Sequence, residues 1–157
     1  MINDFQFVPL HSNIFEGLKT LSDDELLARH ARWMVVDESP GYPCRVSLQD
    51  AKVGERVLFM PYWHHDVDSA YRAMGTILVR EFAQTASPAV NEVPQMLHHR
   101  MLSVRAYDAE NMMVGHDMAQ GTDLQTRLHQ QFENPAVSYI HLHYASPGCF
   151  SCAVQRV

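Results

Sequence analysis

Apolar and polar residues alternate along several short stretches of the chain, which is the pattern of β-strands with one buried face. The predicted strands cover residues 4–10, 32–37, 56–63, 76–82, 101–107, 137–145 and 150–156. The third of these is almost continuously apolar, as in a strand covered on both faces, and Pro61 restricts its last part to an edge or a bulge. The first strand ends at Pro9 and is therefore a short edge strand.

Two further segments have the features of helices. Ser22 and Glu25 have the Ser-x-x-Glu spacing of a capping box, so we expect a helix that begins there and continues through Ala31. Residues 121–132 place large apolar side chains four residues apart and stop before Pro135, which is typical of an amphipathic helix.

The order of these elements predicts the fold class. Strands mostly follow one another instead of alternating with helices, which favours an α+β fold with a mainly antiparallel sheet and two or three helices. The chain has 157 residues, of which 46% are hydrophobic and 19% charged. That length and composition support a single folded domain over residues 1–157.

Composition also restricts the partners. A net charge of -6 disfavours binding to phosphate backbones and anionic lipid, and no apolar stretch approaches the roughly 20 residues of a spanning helix. The three cysteines are an odd number in a chain that can fold on a core alone, so we expect reduced thiols. The sequence therefore predicts a cytoplasmic protein without nucleic-acid or membrane partners, and it identifies neither a cofactor nor an oligomeric state.

Several longer motifs give the chain a family resemblance. They are PGYPCRVSLQDA at residues 40–51, GERVL at 54–58, YRAMGTILVRE at 71–81, RAYD at 105–108 and HLHYASPGCF at 141–150. On these motifs the chain resembles, over nearly its whole length, a bacterial family called domain of unknown function 1203. The resemblance implies no activity, cofactor or site residue, because the family has no established activity.

Histidines provide the first candidate chemistry. His141 and His143 project from one face of a predicted strand, about 7 Å apart by strand geometry, while apolar residues between them pack on the other face. Such a pair can transfer protons near neutral pH, or bind a metal ion if a third ligand comes from elsewhere. No third ligand has diagnostic spacing, so the sequence assigns no metal ligands and offers both residues as catalytic candidates. His64 and His65 are weaker candidates, since neighbours on a strand point apart. The alternative is that His141 and His143 are merely hydrogen-bonded on a half-solvated face.

Two cysteines could act as nucleophiles. Cys44 follows Pro43 in a constrained loop and precedes Arg45, whose guanidinium could lower the thiol pKa. Cys149 lies at a predicted hairpin corner near the histidine strand. The alternatives are that both are inert buried residues, or that the two form a disulfide with each other, which depends on their distance.

Arginines are the candidates for binding an anion. Ten of the twelve basic residues are arginine, which can bind a carboxylate or phosphate through two parallel N–H groups. The four anion-binding candidates are Arg45, Arg72, Arg80 and Arg105. Alternatively, these arginines form structural salt bridges. The acidic residues available for such bridges are Asp50, Glu55, Glu81 and Asp108.

Together these residues predict a pocket where the loop at residues 39–45 meets the histidine strand and the Cys149 corner. The leading hypothesis is a small-molecule enzyme that acts on an anionic substrate, with arginines holding the anion, a histidine moving a proton and a cysteine supplying a thiol. One alternative is a non-catalytic binding or interaction module whose motifs determine the fold. Another is a structural-metal protein that uses His141, His143 and a cysteine.

Overall fold

Eight strands and three α-helices follow one another in a computed structural model that describes residues 3–157. The strands are β1 (Phe5–Val8), β2 (Arg32–Val35), β3 (Arg56–His65), β4 (Ala73–Arg80), β5 (Met101–Tyr107), β6 (Met113–Gln120), β7 (Tyr139–Tyr144) and β8 (Phe150–Arg156). The helices are α1 (Glu16–Lys19), α2 (Asp23–Leu27) and α3 (Leu124–Phe132). Within the described residues, no helix has the length and apolar character required to cross a membrane.

The strands form two antiparallel sheets. One has five strands in the order β1-β8-β7-β5-β6, and the other has three in the order β2-β3-β4. The predicted α+β class, with antiparallel pairing and two or three helices, is confirmed. The structure adds that the strands are divided between two sheets.

The main hydrophobic core lies between α3 and one face of the five-stranded sheet. Leu128 and Phe132 of α3 are buried in the same cluster as Ile140 and Leu142 of β7. Because side chains alternate along a strand, the odd-numbered residues of β7 face away from this core. The opposite face of the sheet therefore carries the two histidines of β7, as their spacing predicts.

Helix α2 begins as its sequence predicts and ends earlier. The Ser22 side chain accepts a hydrogen bond from the Glu25 amide, and the Glu25 carboxylate accepts one from the Ser22 amide, which completes the capping box. The helix ends at Leu27 instead of continuing through Ala31, because His30 adopts a left-handed φ of 59°. The Ala31 amide then donates to the Leu26 carbonyl, which closes the helix end in the manner of a Schellman motif.

A β-bulge interrupts the pairing of β3 with β4. Tyr62 pairs with Gly75 and His65 pairs with Ala73, so β3 carries one residue more than its partner between these pairs. The bulge confirms the expectation that Pro61 precedes an irregular end of this strand. It also removes the strict alternation of side chains at the end of β3.

A tight turn joins β7 to β8 and shapes the corner that contains Cys149. The Gly148 amide donates to the Tyr144 carbonyl, and the Tyr144 amide donates to the Cys149 carbonyl. Gly148 has a φ of 83°, a conformation that a residue with a side chain adopts only with strain. The loop at residues 39–50 lies beside this corner, because the Arg45 side chain donates to the Phe150 carbonyl at the start of β8.

Candidate functional site

Three histidines from the two sheets meet at one place in the structure. His64 lies at the end of β3, and His141 and His143 lie on one face of β7. Each offers a ring nitrogen, and the three nitrogens lie within 4.8 Å of one another. We call these residues the three-histidine cluster. Phe150 supports it, because its ring stacks on the His64 ring with the centroids 5.0 Å apart.

Two nitrogens of the cluster have no partner within the described residues. The Nδ1 atoms of His64 and His141 are buried and make no hydrogen bond, and His141 as a whole is only 6% exposed. Buried polar atoms in folded proteins nearly always have a partner. The two Nδ1 atoms are thus exceptions to this rule, and a neutral imidazole nitrogen that carries no hydrogen can coordinate a metal ion.

His143 is already oriented for such a role. Its Nδ1–H donates to the Gly148 carbonyl over 2.9 Å, so in the neutral ring Nε2 carries the free lone pair. Metal-binding histidines commonly donate their second nitrogen to a carbonyl or carboxylate in this way, which fixes the tautomer and the ring plane. The tight turn that contains Gly148 thus sets the direction of a candidate ligand.

Burial keeps all three imidazoles uncharged at neutral pH. It lowers the pKa of His64 and of His143 to about 4, and that of His141 to about 3. Repulsion from neighbouring imidazoles lowers the pKa of each ring further. A metal ion requires the neutral form, so the ligands need not lose a proton to bind it.

The geometry of the cluster is close to that of a metal site. Tetrahedral zinc with Zn–N bonds of about 2.1 Å places its nitrogen ligands about 3.4 Å apart. The nitrogens here lie within 4.8 Å, so side-chain rotations that move the rings by about 1 Å close the site. Three imidazoles with a fourth position open is the arrangement of a catalytic zinc site, and imidazole also suits copper and nickel.

Arg105 brings a positive charge to the same face. It pairs with His141 across β5 and β7, and its charge lowers the pKa of all three clustered histidines. Its Nε donates to the Ser103 hydroxyl over 3.2 Å. No described carboxylate forms an ion pair with Arg105, so its charge is available to an anion beside the cluster.

A fourth histidine packs against the cluster without joining it. The His65 ring centroid is 4.8 Å from that of His141. Its Nδ1–H donates to the Tyr71 carbonyl over 2.8 Å, and its Nε2 lies 2.6 Å from the Tyr139 hydroxyl. In this tautomer Nε2 accepts the one hydrogen of that hydroxyl, whose oxygen also lies 2.8 Å from the Asn111 side-chain oxygen, and burial raises the pKa of Tyr139 to about 12. Both ring nitrogens of His65 therefore have hydrogen-bond partners, and neither is free to coordinate a metal ion.

The sequence did not assign His64 to this site. The rule that adjacent strand residues point apart fails at the bulge, and both His64 and His65 contact the same face of β7. One signal was available in the sequence. Two consecutive histidines shortly after Pro61 stand where a strand is expected to become irregular.

Cys44 is separated from this site, which corrects the expectation that it faces a substrate. It has no exposed surface and packs with Ile77 and Val79 of β4. Its Sγ accepts weak hydrogen bonds from backbone amides, including those of Val46 (3.4 Å) and Arg80 (3.3 Å). Adjacency to Arg45 in sequence does not bring the two side chains to one surface, because consecutive residues point in different directions.

Two of the four candidate arginines are occupied elsewhere. Arg80 forms two 2.7 Å hydrogen bonds with the Glu55 carboxylate, which is the structural salt bridge of the alternative interpretation. Arg72 pairs with Asp66 over 3.0 Å on the surface and stacks on the Trp63 ring. Neither joins the three-histidine cluster, so the structure disfavours both as anion ligands of this site.

Arg45 and Cys149 are the two candidate residues not yet placed, and both line a groove of about 730 Å³. The groove lies where the loop at residues 39–45 meets the β7–β8 corner, the place at which the sequence predicts a pocket. His141 and His143 do not line it. The structure therefore divides the predicted site in two: His141, His143 and Arg105 belong to one group, and Arg45 and Cys149 line the groove. All three cysteines are free, so the open alternative of a disulfide between Cys44 and Cys149 does not hold here.

Comparison with known proteins adds the family. Residues 41–156, most of the chain, match the family described as protein of unknown function (DUF1203). No curated protein and no solved structure is significantly similar to the chain. The matched segment contains the three-histidine cluster, Arg105 and the groove. The family resemblance of the sequence motifs is thus confirmed, and the chain belongs to the DUF1203 family.

Proposed function

We propose that this protein binds a divalent transition metal of the zinc type through His64, His141 and His143, and that the metal centre acts on a small anionic molecule held by Arg105. The observation that carries the proposal is the convergence of three neutral imidazoles from two sheets, two of them with an unpaired buried nitrogen. The proposal keeps the expected class, a small-molecule enzyme for an anionic substrate. It replaces the thiol nucleophile with a metal centre.

The residues around the centre have distinct roles in this proposal. A bound metal supplies Lewis acidity and lowers the pKa of a coordinated water molecule toward about 7. Arg105 binds the anion through its guanidinium and keeps it next to the cluster. The Gly148 carbonyl holds the His143 ring, and His65 and Tyr139 pack against the His141 ring.

Metal binding is tested on the purified full-length chain. We expect about one equivalent of zinc by elemental analysis, and binding of one Zn²⁺ to chelator-treated protein by calorimetry. His64→Gln should weaken zinc binding about 100-fold or more, because losing a ligand costs at least as much as losing a residue that orients one. The matched control is His116→Gln, an exposed histidine of β6. Zinc binding below stoichiometry in the wild type, or equal affinity in His64→Gln, would overturn the metal site.

Anion binding is tested on the cobalt-substituted protein. Azide that reaches the metal should change the visible spectrum of Co²⁺. Arg105→Gln should weaken this response, whereas Arg105→Lys, which keeps the charge, should retain part of it. A spectrum that azide leaves unchanged at any concentration would overturn the enzyme proposal and leave the metal proposal intact.

A structural metal is the second candidate function, favoured by the burial of two of the ligands. His141 is 6% exposed and His143 is 3% exposed, and the ligands come from different sheets. A metal there would connect the two sheets and stabilise the fold. Removal by chelator should then lower the melting temperature, and azide should have no access to the Co²⁺ ion.

We also propose that the protein works in a bacterial cytoplasm without nucleic-acid or membrane partners. The net charge of -6 and the three free cysteines support this setting. Cell fractionation tests the location. A gel-shift assay with duplex DNA and sedimentation with anionic vesicles should both give negative results.

A further inference from the structure

We propose that the groove next to the β7–β8 corner binds a small carboxylate that carries an apolar chain, with Arg45 as the partner of the carboxylate. We call it the corner groove. Its lining includes Arg45, Leu78, Met101, Met118, Tyr144 and Cys149. This site is separate from the three-histidine cluster and does not depend on the metal.

Arg45 is a buried cation without an acidic partner. It is only 3% exposed, and no described carboxylate forms an ion pair with it. Its Nε donates to the Phe150 carbonyl over 2.9 Å and its Nη1 to the Pro43 carbonyl over 2.6 Å. Among the described residues nothing accepts a hydrogen bond from Nη2. Buried charges are normally paired, so the lining of the groove lacks one negative charge.

The second arginine of the groove shows the contrast. Arg100 donates to both carboxylate oxygens of Asp50, at 3.0 Å and 2.6 Å, and is thereby neutralised. Both guanidinium groups lie over the Tyr144 ring, at 5.2 Å for Arg45 and 5.5 Å for Arg100. Arg45, Arg100 and Asp50 together therefore carry two positive charges and one negative charge. The surplus of one positive charge matches a monoanion.

The walls determine the rest of the ligand. Leu78, Met101, Met118 and Pro147 line the groove with apolar side chains. Its volume of about 730 Å³ falls within the range of small-molecule sites, which is roughly 300 to 1,000 Å³. A carboxylate group occupies only a small part of that volume, so the remainder fits an aliphatic or aromatic body. A phosphate monoester carries nearly two charges at neutral pH and matches the single surplus charge less well.

Cys149 supplies a means of measuring occupancy. It is partly exposed and lines the groove, whereas Cys44 and Cys152 are buried. Iodoacetamide should therefore label the native protein once, at Cys149. Octanoate should slow this labelling in a saturable way and bind by calorimetry. Octan-1-ol, which has the same chain without the charge, should give at most a tenth of the protection at equal concentration.

Variants locate the site. Arg45→Met should abolish the preference for octanoate over octan-1-ol, but it also removes two hydrogen bonds to backbone carbonyls and can destabilise the fold. Met118→Trp avoids this problem, because Met118 is 53% exposed at the edge of the groove and a larger side chain there fills the groove. The matched control is Met112→Trp, which is 45% exposed and does not line the groove.

The outcomes are distinct. The proposal is supported if Met118→Trp abolishes octanoate protection of Cys149 while Met112→Trp preserves it, with zinc chelator present throughout. It is overturned if octanoate neither binds nor protects, if octan-1-ol protects equally well, or if Met118→Trp binds octanoate like the wild type. None of these results depends on whether the three-histidine cluster binds a metal.

Discussion

Replacing His141 with leucine should stabilise the metal-free protein and destabilise the metal-saturated protein relative to wild type. In the metal-free protein the buried Nδ1 of His141 has no hydrogen-bond partner, and leucine removes this polar atom. With zinc bound, the same substitution removes a ligand. One residue thus has opposite effects in the two states, which a purely structural histidine would not show.

The magnitude follows from the burial of the side chain. A buried polar group without a partner costs about 1 to 3 kcal/mol, and a hydrophobic replacement of similar size recovers this cost. Leucine fits the aromatic surroundings of His141 less well than imidazole, so we expect a net gain of about 1 kcal/mol in the free energy of unfolding. For a chain of this size that gain raises the melting temperature by about 2 to 4 °C. Zinc at 100 times its dissociation constant stabilises the wild type by about 2.7 kcal/mol, which reverses the order.

The assay is urea denaturation of both proteins, first with chelator and then with zinc. His116→Leu is the control, because this exposed side chain lies outside the cluster and should have little effect in either condition. The reasoning is refuted if His141→Leu is less stable than wild type with chelator present. It is also refuted if zinc stabilises the two proteins equally.

Three further results are expected. In the metal-free protein the free energy of unfolding should fall as the pH falls from 6.5 to about 4. The clustered histidines have pKa values of about 3 to 4 when folded and 6.5 when unfolded, so only the unfolded chain gains protons over this range. Urea midpoints that stay constant over this range would contradict the prediction. Gly148→Ala should cost about 1 to 2 kcal/mol of stability, because of the left-handed φ of 83°. It should also weaken zinc binding, because the Gly148 carbonyl orients His143; unchanged affinity by calorimetry would show that this hydrogen bond does not support a ligand. A double-mutant cycle of Arg80→Met with Glu55→Gln should give a coupling energy of at most about 1 kcal/mol, because the ion pair is partly exposed. Loss of azide or octanoate binding in Arg80→Met would restore Arg80 as an anion ligand.

The features predicted correctly from the sequence are those fixed by local geometry. The alternation of polar and apolar residues in the strand at residues 137–145 places His141 and His143 on one face whatever the strand pairs with. The capping box at Ser22 is local in the same way. The end of that helix was misplaced, because the left-handed conformation of His30 has no signal as strong as a glycine.

The third histidine could not be placed from the sequence, because its direction depends on pairing between strands. The bulge arises where β3 pairs with β4, and the histidines that His64 then meets lie on β7, far away along the chain. Strand β6 was missed for a related reason. It lies at the edge of the five-stranded sheet, and exposed residues such as Val114 and Met118 obscure the pattern of a strand with one buried face.

The arginines show that sequence adjacency is a poor guide to electrostatic partners. Cys44 and Arg45 are neighbours, yet the thiol lies in the core beside β4 and the guanidinium reaches β8. Arg80 and Glu55 are distant in sequence and form a two-point ion pair. Long side chains contact whatever the fold brings near, so their roles depend on tertiary structure.

The extra residue in β3 makes the length of the chain after Pro61 as important as its composition. Deletion of Trp63, an exposed residue within the bulge, would restore the regular ladder between β3 and β4. One of the two consecutive imidazoles would then turn toward the opposite side of the sheet. A relative that keeps every histidine but is one residue shorter at this point would therefore lack the complete constellation, although a count of its ligands would show nothing missing.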